Sequence, residues 1–302
     1  MTEQRWIGVQ MSGKVGIVLI NYNGEKYIAD CLNSLQAQTY NNFEILFWDN
    51  HSSDASVEIV KRLYTQVHLV ESQYNYGFAK ANNLAVKQML KMGAEYILLL
   101  NVDTVADSFL VEQLLEKADA NTVTTARIGM GKNGGANWYA GGELQFDIGN
   151  ARHLYIKNYK KETPVSFISG CCMMIHKDII KKYGLFNAEY YLYYEDTDLC
   201  MRWYLEGVRM LYIPSVKVWH KVGGSTGGYK SPLKEYYLIR NRLYFVNRYR
   251  KYIKANTKDV LCNIIKSKIV CPTEYNGKMI RAACYGILDY YMGRMGKVNH
   301  KL

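Results

Sequence analysis

The chain has 302 residues, 49% of them apolar and 22% charged, which gives room for one large α/β domain with an extension and excludes wholesale disorder. Its longest apolar runs, residues 16–20 and 96–100, are far too short to cross a bilayer and read as buried strands. The net charge of +11 is unevenly spread: residues 231–302 hold fifteen Lys/Arg against four Asp/Glu, so residues 1–230 carry 23 of each sign and sum to zero.

Residues 1–13 lack a continuous apolar stretch and read as an N-terminal tail without a secretory signal, with Met11 as an alternative start. A strand is predicted at 15–20, then a helix at 25–36 whose Ile28, Cys31, Leu32 and Leu35 share a face. A second strand follows at 43–48, and Ser52, Ser53 or Asp54 caps a helix running to Leu63. A short strand at 67–70, a helix at 78–92, a strand at 96–100, a helix at 107–118 and a strand at 122–126 continue the alternation. Such alternation predicts an α/β fold with a mostly parallel sheet flanked by helices, and ligands bound beyond the carboxyl ends of its strands. Residues 127–163, rich in Gly and Asn, show no clear period. Strands are expected again at 165–168 and 172–175, a helix at 195–206, and strands at 208–213 and 217–219. Gly223, Gly224, Gly227 and Gly228 mark a loop, and beyond Pro232 the pattern is helical with a break near Cys271 and Pro272. The seven cysteines lack metal-ligand spacing and read as reduced packing thiols of a cytosolic protein.

Polar residues gather at three strand ends: Asn21-Tyr22-Asn23-Gly24, Asp49-Asn50 and Asn101-Val102-Asp103. Turn and cap formation explains any one of them; three together predict a binding cleft. Asp103 ends an apolar strand, where a carboxylate is costly unless paired, hydrogen-bonded or bound to metal. Mg²⁺ and Mn²⁺ suit such a place, since oxygen-seeking cations are commonly held by one or two carboxylates plus substrate phosphates. Residues 190–202 put Glu195, Asp196 and Asp198 at a helix start. At about 100° per residue, Asp196 and Asp198 point about 160° apart, so only one can face a cleft. Asp198 stands four residues before Arg202, the spacing of a helical ion pair. Asp196 is then the candidate general base, its pKa raised by burial among tyrosines. A lone histidine is more often a packing residue, but His220, between a Val-Trp strand end and the glycine loop, is a candidate metal ligand.

Taken in order, these segments resemble glycosyltransferase family 2, especially its bacterial rhamnosyltransferase-like branch. The resemblance covers roughly residues 14–228 through VGIVLINYNG (15–24), WDNHSSDAS (48–56), NYGFAKANN (75–83), LNVD (100–103), SGCCMMIH (169–176), YGLF (183–186), YYEDTDLCMR (193–202) and VWHKVGGS (218–225). It implies a GT-A fold and a metal-dependent, inverting transfer of a sugar, rhamnose among the candidates, from a dTDP- or UDP-sugar to a lipid-linked saccharide in cell-envelope polysaccharide synthesis. By the same resemblance Asn21, Tyr22 and Asn23 border the nucleotide, Asp49 hydrogen-bonds the pyrimidine base, and Asn75 and Asn82 line the nucleoside pocket. Asp103, helped by His220, holds Mg²⁺ or Mn²⁺ with the diphosphate, and Asp196 deprotonates the acceptor hydroxyl. Two positions depart from the family pattern: Asn101-Val102-Asp103 replaces a full Asp-x-Asp, with Val102 where this branch commonly has proline, and Asn187 replaces an aspartate after Gly-x-Phe.

The implied organisation is a tail at 1–13, a GT-A domain at 14–228 and a basic helical extension at 229–302. Within the extension, YYLIRNRLYFVNRYR (236–250) and YGILDYYMGRMGK (285–297) resemble the Arg-Asn helix and the closing helix of rhamnosyltransferase-like members. Its basic residues interleaved with tyrosines suit an anionic membrane surface, at about 1 kcal/mol per Lys or Arg near the headgroups. That points to the cytoplasmic, inner face of the cell membrane. No recognition-helix, RRM or KH signature supports nucleic acid. Two other readings stay open: a non-catalytic sugar-nucleotide or glycan-binding module with a degenerate site, which Asn101 favours, and a basic membrane-attached scaffold.

Overall fold

The computed structural model describes residues 13–131, 136–155, 160–221, 231–270 and 276–302. Alternating apolar runs and amphipathic stretches give β1 (Val15–Asn21), α1 (Glu25–Gln36), β2 (Phe43–Asp49), α2 (Ser56–Leu63), β3 (His68–Glu71), α3 (Gly77–Lys91) and β4 (Tyr96–Asn101). Helix α1 buries the face expected of it, Ile28, Cys31, Leu32 and Leu35. The start of α2 is set by an exchange with α1: Asp54 accepts from the backbone N–H groups of Glu25 and Ser56, and Glu25 accepts from that of Ala55. Each carboxylate satisfies N-terminal donors that would otherwise lack partners.

Next come β5 (Thr104–Ala106), α4 (Leu110–Lys117) and β6 (Thr122–Met130). Helix α4 begins three residues later than expected because Asp107 folds into its own turn, accepting the Phe109 N–H at 3.0 Å. The stretch that carried no period holds β7 (Asn137–Tyr139), the hairpin β8 (Gly142–Gln145) and β9 (Asn150–His153), and the start of β10 (Thr163–Pro164). The strand expected at 165–168 is absent. Phe167 and Ile168 are buried and Val165 partly so, but Ser166 and Phe167 both direct their N–H groups at the Gly142 carbonyl, which bends the chain off any ladder. Strand β11 (Cys172–His176) leads into α5 (Lys177–Tyr183), which sequence reasoning missed, and α6 (Glu195–Leu205) follows. The two strands expected at 208–213 and 217–219 are one, β12 (Arg209–His220), with a register shift between Ile213 and Lys217. Pro214, which has no N–H to offer a ladder, lies inside that irregularity.

The main sheet runs β10-β12-β6-β11-β4-β1-β2-β3. The expected α/β architecture is present, with parallel pairing across β4, β1, β2 and β3 and between β6 and β12. Strand β11 runs antiparallel between β4 and β6, and so brings the chain after β10 back beside the carboxyl end of β4. The C-terminal segment forms α7 (Pro232–Arg248), α8 (Thr257–Ile264), a π-helical turn at Ile265–Val270, and α9 (Gly277–Tyr291). Helices α7 and α9 pack closely, and Gly286 permits it: a Cβ there would lie 2.8 Å from the Tyr236 carbonyl oxygen. Leu243, Phe245 and Val246 of α7 are buried in the same core as the sheet. The glycine loop and the break at Cys271 and Pro272 lie outside the described residues. Of the cysteines described, Cys31, Cys171, Cys172 and Cys200 are buried, Cys262 and Cys284 are exposed, and all six are free thiols.

Candidate active site

The carboxyl ends of β1 and β4, the loop before β11, the hairpin, the start of α6 and the first turns of α7 surround a cavity of about 460 Å³, a size suited to a small-molecule ligand. Asn21, Tyr22, Asn75, Asp103, Asp196 and His220 all line it. Asn23, Asp49 and Asn82 do not; their side chains hold the surrounding chain in place. Asp49 accepts from Asn21 Nδ2 (2.9 Å) and from the Ser52 N–H (2.9 Å), and Asn23 accepts from the Ser53 N–H at 2.8 Å. Asn82 donates back to the Phe78 carbonyl one turn earlier in α3. The loops after β1 and β2 are thus fastened to each other, which leaves Asn21 Oδ1 buried at the cavity without a partner.

Asn75 joins this floor to the opposite wall. Its Oδ1 accepts from Asn50 Nδ2 (2.9 Å), the Gly77 N–H (2.9 Å) and the Tyr191 hydroxyl (3.0 Å). Tyr191 belongs to an unusual turn ahead of α6, in which Tyr191, Tyr193 and Tyr194 have φ of 63°, 65° and 71°. The Tyr191 carbonyl accepts from the Phe78 N–H at 2.8 Å. Gly77 must be glycine for this to happen: its φ is 75°, and a Cβ would sit 2.6 Å from the Tyr191 carbonyl oxygen.

The three carboxylates at the start of α6 have separate fates. Asp198 is wholly buried and accepts from the Tyr190 and Tyr249 hydroxyls (3.2 and 3.0 Å) and from Arg202 Nε (3.0 Å), with Arg248 Nε at 3.4 Å. The i, i+4 pair expected from the sequence is part of this structural network. Glu195 is buried with Oε2 unpartnered, and burial followed by the nearby Asp196 charge pushes its carboxyl well above the usual range. Asp196 is partly buried and opens to the cavity; burial raises its pKa, opposed by hydrogen bonds from the Gly170 N–H (3.2 Å) and the Thr197 N–H (2.8 Å). Burial thus raises both neighbouring acids, and at Asp196 the Gly170 and Thr197 N–H groups oppose the rise.

Across the cavity, His220 Nε2 lies 3.1 Å from Asp103 Oδ1, and His220 Nδ1 is buried without a partner. Among the described residues no third His, Cys, Asp or Glu completes a cluster. The Asp103 carboxylate and the His220 imidazole, one nitrogen of which is buried and unsatisfied, nevertheless fit a divalent cation that takes its remaining ligands from a diphosphate. Sequence reasoning missed the residues beside this pair. Trp138 sets its ring edge-on to both His220 (centroids 4.8 Å apart) and His153 (4.4 Å). Burial, together with the nearby His220, pushes His153 down to about 4 against the opposing hydrogen bond to the Trp138 carbonyl. Both residues come from 127–163, where no local pattern marked them; only the fold carries them to the site.

The family model described as glycosyl transferase family 2 matches residues 16–184, more than half of the chain. The chain belongs to glycosyltransferase family 2. It is 24% identical over 310 residues to the dTDP-rhamnosyl transferase RfbF of Shigella flexneri, covering 92% of this chain and 96% of that protein. It is 23% identical over 242 residues to an N-acetylglucosaminyl-diphospho-decaprenol L-rhamnosyltransferase of Mycobacterium tuberculosis, covering 72% and 79%. These relatives support the rhamnosyltransferase-like branch. The solved structure of S. aureus TarS 1–349 in complex with UDP-GlcNAc matches with a TM-score of 0.58 at 18% identity, covering 92% of this chain and 80% of that one. GalNAc-T7 with UDP, GalNAc and Mn²⁺ matches with a TM-score of 0.66 at 14% identity, covering 93% and 56%. At such identities the likeness establishes the shared GT-A fold. Within this glycosyltransferase, Asn187, where the family often has aspartate, accepts from the Glu189 N–H at 3.1 Å and so caps a short 3₁₀ turn.

The division of labour along α6 is testable without substrate. Asp198→Asn is expected to destabilise the protein by about 3–5 kcal/mol, the cost of disrupting a buried charge network. Asp196→Asn is expected to leave stability unchanged or raise it. An acid whose pKa rises on folding costs stability above its titration window, and the amide relieves that cost. Urea unfolding at pH 7 measures both; equal losses in the two variants would contradict the assignment.

Proposed function

We propose that this glycosyltransferase inverts the anomeric centre of its donor, a dTDP- or UDP-sugar of which dTDP-L-rhamnose is the first choice, and transfers the sugar to a lipid-linked saccharide in cell-envelope polysaccharide synthesis. The observation that carries this reading is that Asp196, its carboxyl raised by burial, opens into the same cavity as Asp103 and His220. The choice of sugar is supported by the names of the two rhamnosyltransferase relatives.

In this reading Asn21, Tyr22 and Asn75 border the nucleoside, while Asn23, Asp49 and Asn82 shape its floor. Asp196 accepts the proton of the acceptor hydroxyl as that oxygen attacks the anomeric carbon, and the bond to the diphosphate breaks on the opposite face. Asp103 and His220 would hold Mg²⁺ or Mn²⁺, which when bound supplies positive charge opposite the departing diphosphate. Burial serves Asp196 directly, since a carboxylate with a raised pKa is a stronger base for a hydroxyl proton. The extension at 229–302 is proposed to rest on anionic lipid. Besides its excess of Lys and Arg, it exposes Tyr252, Ile265, Val270, Leu288, Tyr291 and Met292. Among the described residues no helix is long and apolar enough to cross a membrane.

Asp196→Asn should lower turnover of dTDP-L-rhamnose by about 10²–10⁴-fold, the usual contribution of general-base catalysis. Product NMR should show inverted configuration; retention would reject the single-base mechanism, and an unimpaired Asp196→Asn would favour a non-catalytic binding module. Chelation should abolish turnover and Mn²⁺ or Mg²⁺ restore it, with Asp103→Ala needing more cation for half-maximal activity; full activity in excess chelator would refute the cation's role. Flotation with vesicles should capture the protein on anionic but not neutral lipid and release it at high salt. Capture independent of salt would count against the basic face.

A further inference from the structure

We propose that Asn241, steadied by Arg240, is a positioning residue for Asp196: it gathers the turn ahead of α6 so that this carboxylate, and not Glu195, faces the acceptor. The proposal rests on the reading of Asp196 as the base.

The Asn241 amide is buried within the turn. Its Nδ2 donates to the carbonyls of Tyr190 (3.0 Å), Leu192 (2.9 Å) and Tyr193 (2.8 Å). Two N–H bonds therefore serve three carbonyl oxygens that would otherwise repel one another. Asn241 Oδ1 accepts from Arg240 Nε at 3.0 Å, which fixes the end of the amide that meets the turn. Arg240, itself wholly buried, donates to the Tyr190 carbonyl (3.1 Å) and the Gly296 carbonyl (2.7 Å). Its charge is answered through the Tyr236 hydroxyl, which accepts from it (3.3 Å) and donates to the buried Asp289 (2.6 Å).

The turn needs this grip because left-handed backbone at three bulky residues is costly. Tyr194, the last of them, is the N-cap of α6, so the way the turn ends sets the rotation of the helix. One residue is about 100° of helix, enough to bring Glu195 into the direction that Asp196 now takes and to turn Asp196 away from it. A loosened turn would also admit water to the Asp196 carboxyl. The titratable groups around that carboxyl are Glu195, Tyr194 and Cys200 on its own helix, Tyr139 of β7, and Cys171 ahead of β11. Burial raises all five, so Glu195 is the one that shares the acid range with Asp196.

The test compares the full-length chain with Asn241→Ala and Asn241→Asp. The second variant keeps the side chain's size and the acceptor for Arg240 but turns an oxygen toward the three carbonyls. Turnover of dTDP-L-rhamnose is measured against pH, and the Asp196 carboxyl is titrated by ¹³C NMR, its resonance identified by its loss in Asp196→Asn. Both variants should lose about 10- to 100-fold in kcat, the scale of a misplaced reacting group, and their acid limb and Asp196 titration should move to lower pH. A purely architectural Asn241 would lower Tm and leave both titrations in place, and that result in either folded variant overturns the proposal. Full activity in Asp196→Asn would instead overturn the base reading, while the NMR titration, which needs no donor, would still report whether Asn241 orients Asp196.

Discussion

Left-handed backbone at a bulky residue costs about 1–3 kcal/mol, and the turn ahead of α6 adopts it at Tyr191, Tyr193 and Tyr194. Such a turn persists only because both sides hold it. From α3 come the Phe78 N–H and the space left by Gly77; from α7 come the amide of Asn241 and the ring of Tyr237, which stacks on Tyr191 with centroids 5.4 Å apart. The cavity follows from that grip. The same tyrosines line one wall, their hydroxyls reach across to Asn75 and Asn150, and the helix they introduce carries the acids.

Three acids in four positions could compensate one another's loss if they were equivalent, and their surroundings make them different. Asp198 is surrounded by donors and belongs to the architecture. Glu195 has its Oε2 unpartnered, and burial raises its pKa. Asp196 is raised by burial and held back by hydrogen bonds from the Gly170 and Thr197 N–H groups. A carboxyl whose pKa is raised by burial costs the fold stability once it ionises.

Much of this was legible in the sequence where one element sufficed to state it. The strands and helices of the first hundred residues follow from period and capping, and the helical angle between Asp196 and Asp198 separated the structural acid from the functional candidate. The strand ends correctly pointed to a cleft, yet Asn23 and Asp49 serve its loops, because a short polar side chain at a turn looks the same in sequence whether it faces a ligand or a neighbouring N–H. Residues 137–153 were opaque for a related reason. Their short strands lack a period of their own and are held by distant partners, such as the Phe167 carbonyl that accepts from the Tyr139 hydroxyl at 2.7 Å. The sequence marks Arg240 and Asn241 as part of a helix resembling the Arg-Asn helix of rhamnosyltransferase-like members, and only the packing of α7 shows that both are buried.

The bond from Arg240 to the Gly296 carbonyl, with that from the Gly296 N–H to the Glu189 carbonyl (2.8 Å), ties residues near the C-terminus into the turn beside the acids. During synthesis, these links cannot form until residue 296 has left the ribosome. A nascent chain with its whole sheet folded but residue 296 still unavailable would lack these two ties on the turn beside the acids.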